Sequence, residues 1–156
     1  MSAVHEHLLP AFVRLDLEAE NRREVLKALG ELLGGNDIPS QEAAFEDLRA
    51  RETMGSTGVG GGIAFPHARV SFLSNLRLAF VRTKEPIPFE ALDGKPVDLF
   101  LALGGPQQGR KEYLAVLAQL SYLFRSEKTR DDFRAAKTPD EVVALLQALS
   151  ESSAQG

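Results

Sequence analysis

One histidine, His67, stands behind a proline and shortly after a glycine-rich run, in the stretch TGVGGGIAFPHAR from Thr57 to Arg69. Glycines at Gly58, Gly60, Gly61 and Gly62 let the backbone reach positive φ, and successive N–H groups in such a turn can converge on an anion. Ile63, Ala64 and Phe65 predict a short buried strand. Pro66 holds the residue before it extended, so His67 is expected at a strand end, where α/β folds place chemistry. Taken singly, His67 also reads as an ordinary structural or surface histidine, and the glycines as a turn without a ligand. Two nucleotide readings fail on spacing. A phosphate-binding loop needs Lys then Ser or Thr after its last glycine, and Gly62 is followed by Ile63 and Ala64. A dinucleotide fingerprint needs a strand before the glycines and a helix after them, the reverse of this order.

The elements that must position His67 follow from apolar spacing. Val25, Leu29, Leu32 and Leu33, widened by Leu26, predict a helix over 18–33, ended by Gly34 and Gly35. Ser40 is the expected N-cap of a second helix carrying Ala43, Ala44, Phe45 and Leu48, which brings Arg51 and Glu52 close to the glycines. Beyond His67, residues 76–83 alternate enough for a strand, broken by Pro86 and Pro88. Asp93-Gly94 marks a turn, and the apolar run 97–103 predicts a strand buried on both faces. Gly104, Gly105, Pro106 and Gly109 read as a loop leading to Tyr113. A helix over 111–124 is expected to bury Leu114, Leu117, Ala118 and Ser121. A shorter one covers 128–136, and Thr138, Pro139 and Glu141 open a last helix through Leu149. Residues 150–156 are expected as a disordered tail. Helices on both sides of a small buried sheet make a single-domain α/β sandwich over residues 1–156.

Composition narrows the function classes. With 44% hydrophobic and 26% charged residues the chain reads as an ordinary globular domain, and its net charge of −4 argues against a nucleic-acid partner. There is no cysteine, so thiolate chemistry is excluded and zinc would have to rely on His5, His7, His67 and carboxylates. His5 and His7 read as solvated residues of a strand-like tail. No metal and no cofactor are expected. The start, MSAVHEHLLP, lacks a positive region and a long apolar core, so no membrane insertion and a cytoplasmic location are expected.

Taken in register, Arg51-Glu52, Ser56-Thr57-Gly58, Gly60 and Gly62, Ile63-Ala64-Phe65, Pro66-His67 and Arg69 resemble a family signature. The family is the IIA phosphocarrier domains of the bacterial phosphotransferase system, fructose and mannitol class, with the free-standing nitrogen-regulatory IIA protein as the nearest branch. Pro86-x-x-Phe89, Asp93-Gly94 and Val97 continue the likeness, which covers 8–149. The resemblance implies a mixed central sheet. It implies that His67 takes a phosphoryl group from a small histidine phosphocarrier protein, and a partly neutral imidazole suits that role. Arg51, by itself a solvated helix-end charge, would hold phosphate oxygens through its planar fork. Thr57, Gly58, Gly60 and Gly62 would supply donors to the phosphate, with Arg69 and Tyr113 beside them. The expected output is regulation of target proteins by phosphorylation state. The alternatives are the IIA component of a separate fructose- or mannitol-type sugar permease with its own IIB domain, a phosphotransfer-dead binding module, or a small-anion binder using the glycines.

Two positions depart from the pattern. Many members carry an acidic or amide residue where this chain has Gly61. Active members also carry a second histidine at the start of a later helix, and the matching segment KEYLAVLAQLSYLF places Tyr113 there. A phenol can donate to phosphate but carries no positive charge near neutral pH.

Overall fold

The computed structural model describes residues 3–155. Two short 3₁₀ turns, Val4–His7 and Pro10–Phe12, lead into β1 (Val13–Leu17), α1 (Arg22–Gly34) and α2 (Ile38–Thr53). Then come β2 (Gly58–Gly60), β3 (Ile63–Ala64), β4 (His67–Arg69), β5 (Arg77–Ile87) and β6 (Val97–Gly105). Helices α3 (Arg110–Leu123), α4 (Glu127–Ala135) and α5 (Pro139–Gln155) complete the chain.

The sheet is ordered β1-β5-β6-β3-β2, with β4 also paired to β6. Strand β6 is antiparallel to β5 and parallel to β3 and β4, while β1 lies parallel to β5 and β2 antiparallel to β3. The sheet is therefore mixed. Because side chains alternate across a strand, β5 and β6 feed two cores at once. Leu78, Phe80, Leu99, Leu101 and Leu103 pack with Val116, Leu120, Phe124, Phe133, Val142 and Leu146 from α3, α4 and α5. Ala79, Val81, Phe100 and Ala102 pack on the other side with Val25, Leu29, Leu33, Ala44 and Leu48 from α1 and α2. The continuous apolar run of β6 is thus buried on both faces, as expected of a sandwich.

Several local expectations are corrected. Helix α2 is capped by Asp37, whose carboxylate accepts the Ser40 N–H at 3.1 Å, so Ser40 lies inside the first turn. Strand β5 runs through Pro86. Between Arg82 and Ile87 the register against β6 shifts, and a bulge asks for no ladder bond from a residue without an N–H. Gly104 and Gly105 are the end of β6, paired with Ala68 and Arg69, and only the residues after them form a loop. Helix α3 buries Tyr113, Val116, Leu120 and Leu123 and exposes Leu114, Ala118 and Ser121, one residue of rotation from the expected face. Two apolar stripes competed there, and the one containing Tyr113 is the one that docks. His5 and His7 lie on a 3₁₀ turn instead of a strand-like tail. Helix α5 continues through Gln155 with Ser150 buried, so 150–155 are helical where a disordered tail was expected, and Gly156 lies outside the described residues. Its start is as expected: Thr138 Oγ1 accepts the Glu141 N–H at 3.1 Å.

Candidate functional site

The site is built where α2 ends. Arg51 and Glu52 occupy its last turn and face opposite ways. Arg51 Nη1 donates to the Gly55 carbonyl at 2.9 Å near the surface. Glu52, only 3% exposed, turns inward, and its two oxygens accept the Thr57 N–H and the Thr57 hydroxyl, each at 2.8 Å. Those two donors offset the cost of burying the carboxylate. Ser56 Oγ donates to the Phe89 carbonyl and accepts the Gly58 N–H, fastening the start of β2. Gly58 then pairs with Ala64, and the Phe65 N–H donates to the Thr57 carbonyl at 3.1 Å. Pro66 interrupts the strand, and His67 opens β4 opposite Leu103.

His67 is half-buried, with Nδ1 2.8 Å from the Phe65 carbonyl. A carbonyl only accepts, so the contact assigns the ring proton to Nδ1 and leaves a lone pair on Nε2. Burial pushes the His67 pKa below its ordinary 6.5. The Phe65 carbonyl and the Glu52 charge oppose that shift, and the Arg51 charge adds to it. Tyr113, at the position of the second family histidine, lies with its ring edge-on to His67, centroids 6.1 Å apart, beneath the Arg69 guanidinium at 4.8 Å. A Cβ on Gly105 would come within 2.5 Å of the Tyr113 ring, so glycine there makes its room. Burial raises the Tyr113 phenol to about 12 against the pull of Arg69 and Arg51, which keeps it neutral.

The residues expected at the site do not all meet there. His67, Arg51 and Tyr113 come together, each reaching His67 or its field. Thr57 and Gly58 lie next to it along the hairpin, but their N–H groups are committed to Glu52 and Ser56. Arg69 shares the strand face of His67, yet its Nε and Nη2 donate to the carbonyls of Pro106, Gln107 and Gln108 and so clamp that loop. Gly60 and Gly62 belong elsewhere. With Gly61 they form the hairpin turn, all three at positive φ. Gly62 faces Asp98 on β6 whereas His67 faces Leu103, roughly 16 Å of strand away at the usual rise. The turn's Gly61 N–H donates to Asp93 Oδ2 at 3.0 Å, so no phosphate-facing nest forms at His67. Glu52, absent from the expected set, is the residue that the sequence reading missed. Its signal was an acid five residues ahead of a threonine across a helix end.

A neutral imidazole with its lone pair on Nε2, a guanidinium whose charge reaches it and a neutral phenol could together serve as a nucleophile toward a negatively charged electrophile. Among the described residues no three His, Asp or Glu side chains gather to hold a metal ion, and no helix is long and apolar enough to cross a membrane.

The family model for "Phosphoenolpyruvate-dependent sugar phosphotransferase system, EIIA 2" matches residues 6–149. The chain is 32% identical over 148 residues to a nitrogen regulatory protein of Pseudomonas aeruginosa, covering 94% of this chain and 96% of that protein. The crystal structure of nitrogen regulatory protein IIA-Ntr from Neisseria meningitidis matches with a TM-score of 0.86 at 36% identity, covering 92% of this chain and 98% of that one. The same fold recurs in Escherichia coli enzyme IIA mannitol, solved in complex with phosphorylated enzyme IIB mannitol. That match has a TM-score of 0.74 at 21% identity, covering 90% of this chain and 97% of that one.

Proposed function

The chain belongs to the EIIA 2 family of the phosphoenolpyruvate-dependent sugar phosphotransferase system, and from that membership we propose that it is a histidine phosphocarrier of the nitrogen-regulatory kind, with His67 as the phosphoacceptor. The observation that carries this reading is the 2.8 Å contact between His67 Nδ1 and the Phe65 carbonyl, which leaves Nε2 as the nucleophile.

In the transfer, the Nε2 lone pair attacks the phosphorus of a phosphohistidine on a small carrier protein. The donor's P–N bond breaks, and the donor imidazole leaves with the electron pair. His67 keeps its proton on Nδ1, and the Phe65 carbonyl stabilises the positive charge the ring gains. Arg51 would hold the equatorial oxygens. A guanidinium has five N–H donors, so the bond to Gly55 leaves others for phosphate. Tyr113 bounds the ring as a neutral wall. Thr57 and Gly58 contribute by fixing the hairpin, since their donors are already engaged.

Four exposed apolar residues lie on the segments bordering His67: Met54 at the end of α2, Val59 on β2, Leu92 beside Gly58, and Leu114 on the first turns of α3. They suit docking of a carrier in the cytoplasm, and of a target protein that reads the added negative charge. A IIB domain of a separate permease would meet the same face, and the mannitol complex supports that second reading at the level of the fold. The test is intact mass after incubation with phosphoenolpyruvate, the system's first enzyme and its small carrier, with His67→Ala alongside. Transfer onward to purified IIB domains separates the permease reading from the regulatory one.

A further inference from the structure

We propose that Glu52 is a positioning residue for His67, selecting the ring tautomer with Nε2 as nucleophile by way of Thr57 and Phe65. The inference rests on the phosphocarrier reading above and adds a residue to it.

The starting observation is an acid in an unfavourable place. Glu52 lies in the last turn of a helix, where the dipole disfavours negative charge, and it is 3% exposed. Both its oxygens are spent on one residue, Thr57, through the N–H and the hydroxyl. Thr57 in turn accepts the Phe65 N–H, and the Phe65 carbonyl accepts from His67 Nδ1. Four groups thus run in series from a buried carboxylate to the imidazole, with every hydrogen bond between 2.8 and 3.1 Å.

The series matters because the ladder loses a donor at this point. Pro66, between Phe65 and His67, has no N–H to give to a ladder. Its carbonyl accepts the Leu103 N–H at 2.9 Å, which holds the far side of the Phe65–Pro66 peptide, while the near side is pinned by the Phe65 N–H bond to the Thr57 carbonyl. Without that pin the Phe65 carbonyl can turn away, and an unrestrained imidazole populates both tautomers. Molecules with the proton on Nε2 have no lone pair facing the donor. Glu52 also places a negative charge near a ring that becomes positive as phosphorus is attacked, opposite in sign to the effect of Arg51.

The test uses the full chain, unphosphorylated, with long-range ¹H–¹⁵N NMR of the His67 ring, followed by the rate of phosphorylation from the small carrier. Wild type and Thr57→Ser are expected to hold the proton on Nδ1. Glu52→Gln keeps an acceptor for the Thr57 N–H without the charge and is expected to keep the tautomer. Glu52→Ala and Glu52→Met, which leave the Thr57 N–H without its acceptor, are expected to show a mixture, with phosphorylation slowed about tenfold by the lost orientation. Should Glu52→Ala fail to fold, Glu52→Met decides alone. A folded Glu52→Ala or Glu52→Met that keeps a single Nδ1–H tautomer and a rate within about twofold of wild type overturns the proposal. The tautomer is read before any transfer, so a wild type that accepts no phosphoryl group counts against the phosphocarrier reading and leaves the NMR result to judge Glu52.

Discussion

The two ends of the β2–β3 hairpin are fastened by similar means and to different purposes. At one end Thr57 gives its N–H and hydroxyl to Glu52, and the paired strand delivers the Phe65 carbonyl to His67. At the other, Gly61 donates its N–H to Asp93 and its carbonyl accepts from Arg134, which is forked onto Asp98 at 2.9 and 3.0 Å. Four neighbouring glycines make the whole stretch look like one anion loop. The fold divides them: the Gly58 end sets the carbonyl that meets His67, and the Gly60 to Gly62 end ties a turn to α4 and β6. Strand geometry enforces the split, because an extended chain cannot bring both ends to the same ligand.

Substitutions at each end separate the two roles. The largest effect is expected from Arg51→Ala, which removes the cation whose charge acts on His67 and should slow phosphorylation by about a hundredfold with the thermal midpoint unchanged; stopped-time mass spectrometry gives the rate. At the far end, Arg134→Ala should leave Asp98 half-buried without its partner and cost ~2 kcal/mol in urea unfolding, reduced from a fully buried pair by partial solvent exposure. Its phosphorylation rate should match wild type, and a slowing comparable to that of Arg51→Ala would mean that the two ends are one functional unit. Gly61→Asn puts an amide side chain into the turn. Asparagine tolerates the φ of 72° there, but its Cβ would meet the Arg130 guanidinium at 2.7 Å, so about 1 kcal/mol of stability should be lost as that side chain steps aside.

The smallest effect is in pH. An imidazole of ordinary pKa is half protonated at pH 6.5 and would lose half its rate there. The pKa of His67 is lowered, so more than half of it stays neutral at that pH and the rate should fall only at more acid values. A halving at or above pH 6.5, with donor and enzyme not limiting, would show that burial does not govern the ring.

Much of the fold was legible because the patterns were unambiguous: β6 had no polar face to misplace, and Thr138 with Glu141 marked the start of α5. The placing of His67 at a strand end with Arg51 in range was legible because several motifs stood in register. What stayed hidden depended on contacts between segments distant in sequence. The commitment of Arg69 to three carbonyls of the 106–108 loop is made across the sheet, and nothing in the local sequence distinguishes that arginine from a phosphate ligand. The inward turn of Glu52 depends on a threonine beyond the helix end, while its neighbours Arg51 and Thr53 are less buried or exposed. On α3 two apolar stripes were available, and the docking of Tyr113 against Gly105 and Arg69 chose between them.

The most direct test of the central claim is the intact mass of the protein after phosphoenolpyruvate, first enzyme and small carrier from the same organism are supplied. The expected result is one acid-labile phosphoryl group on wild type and none on His67→Ala. Wild type that gains no phosphoryl group, or a His67→Ala variant that still gains one, would contradict it.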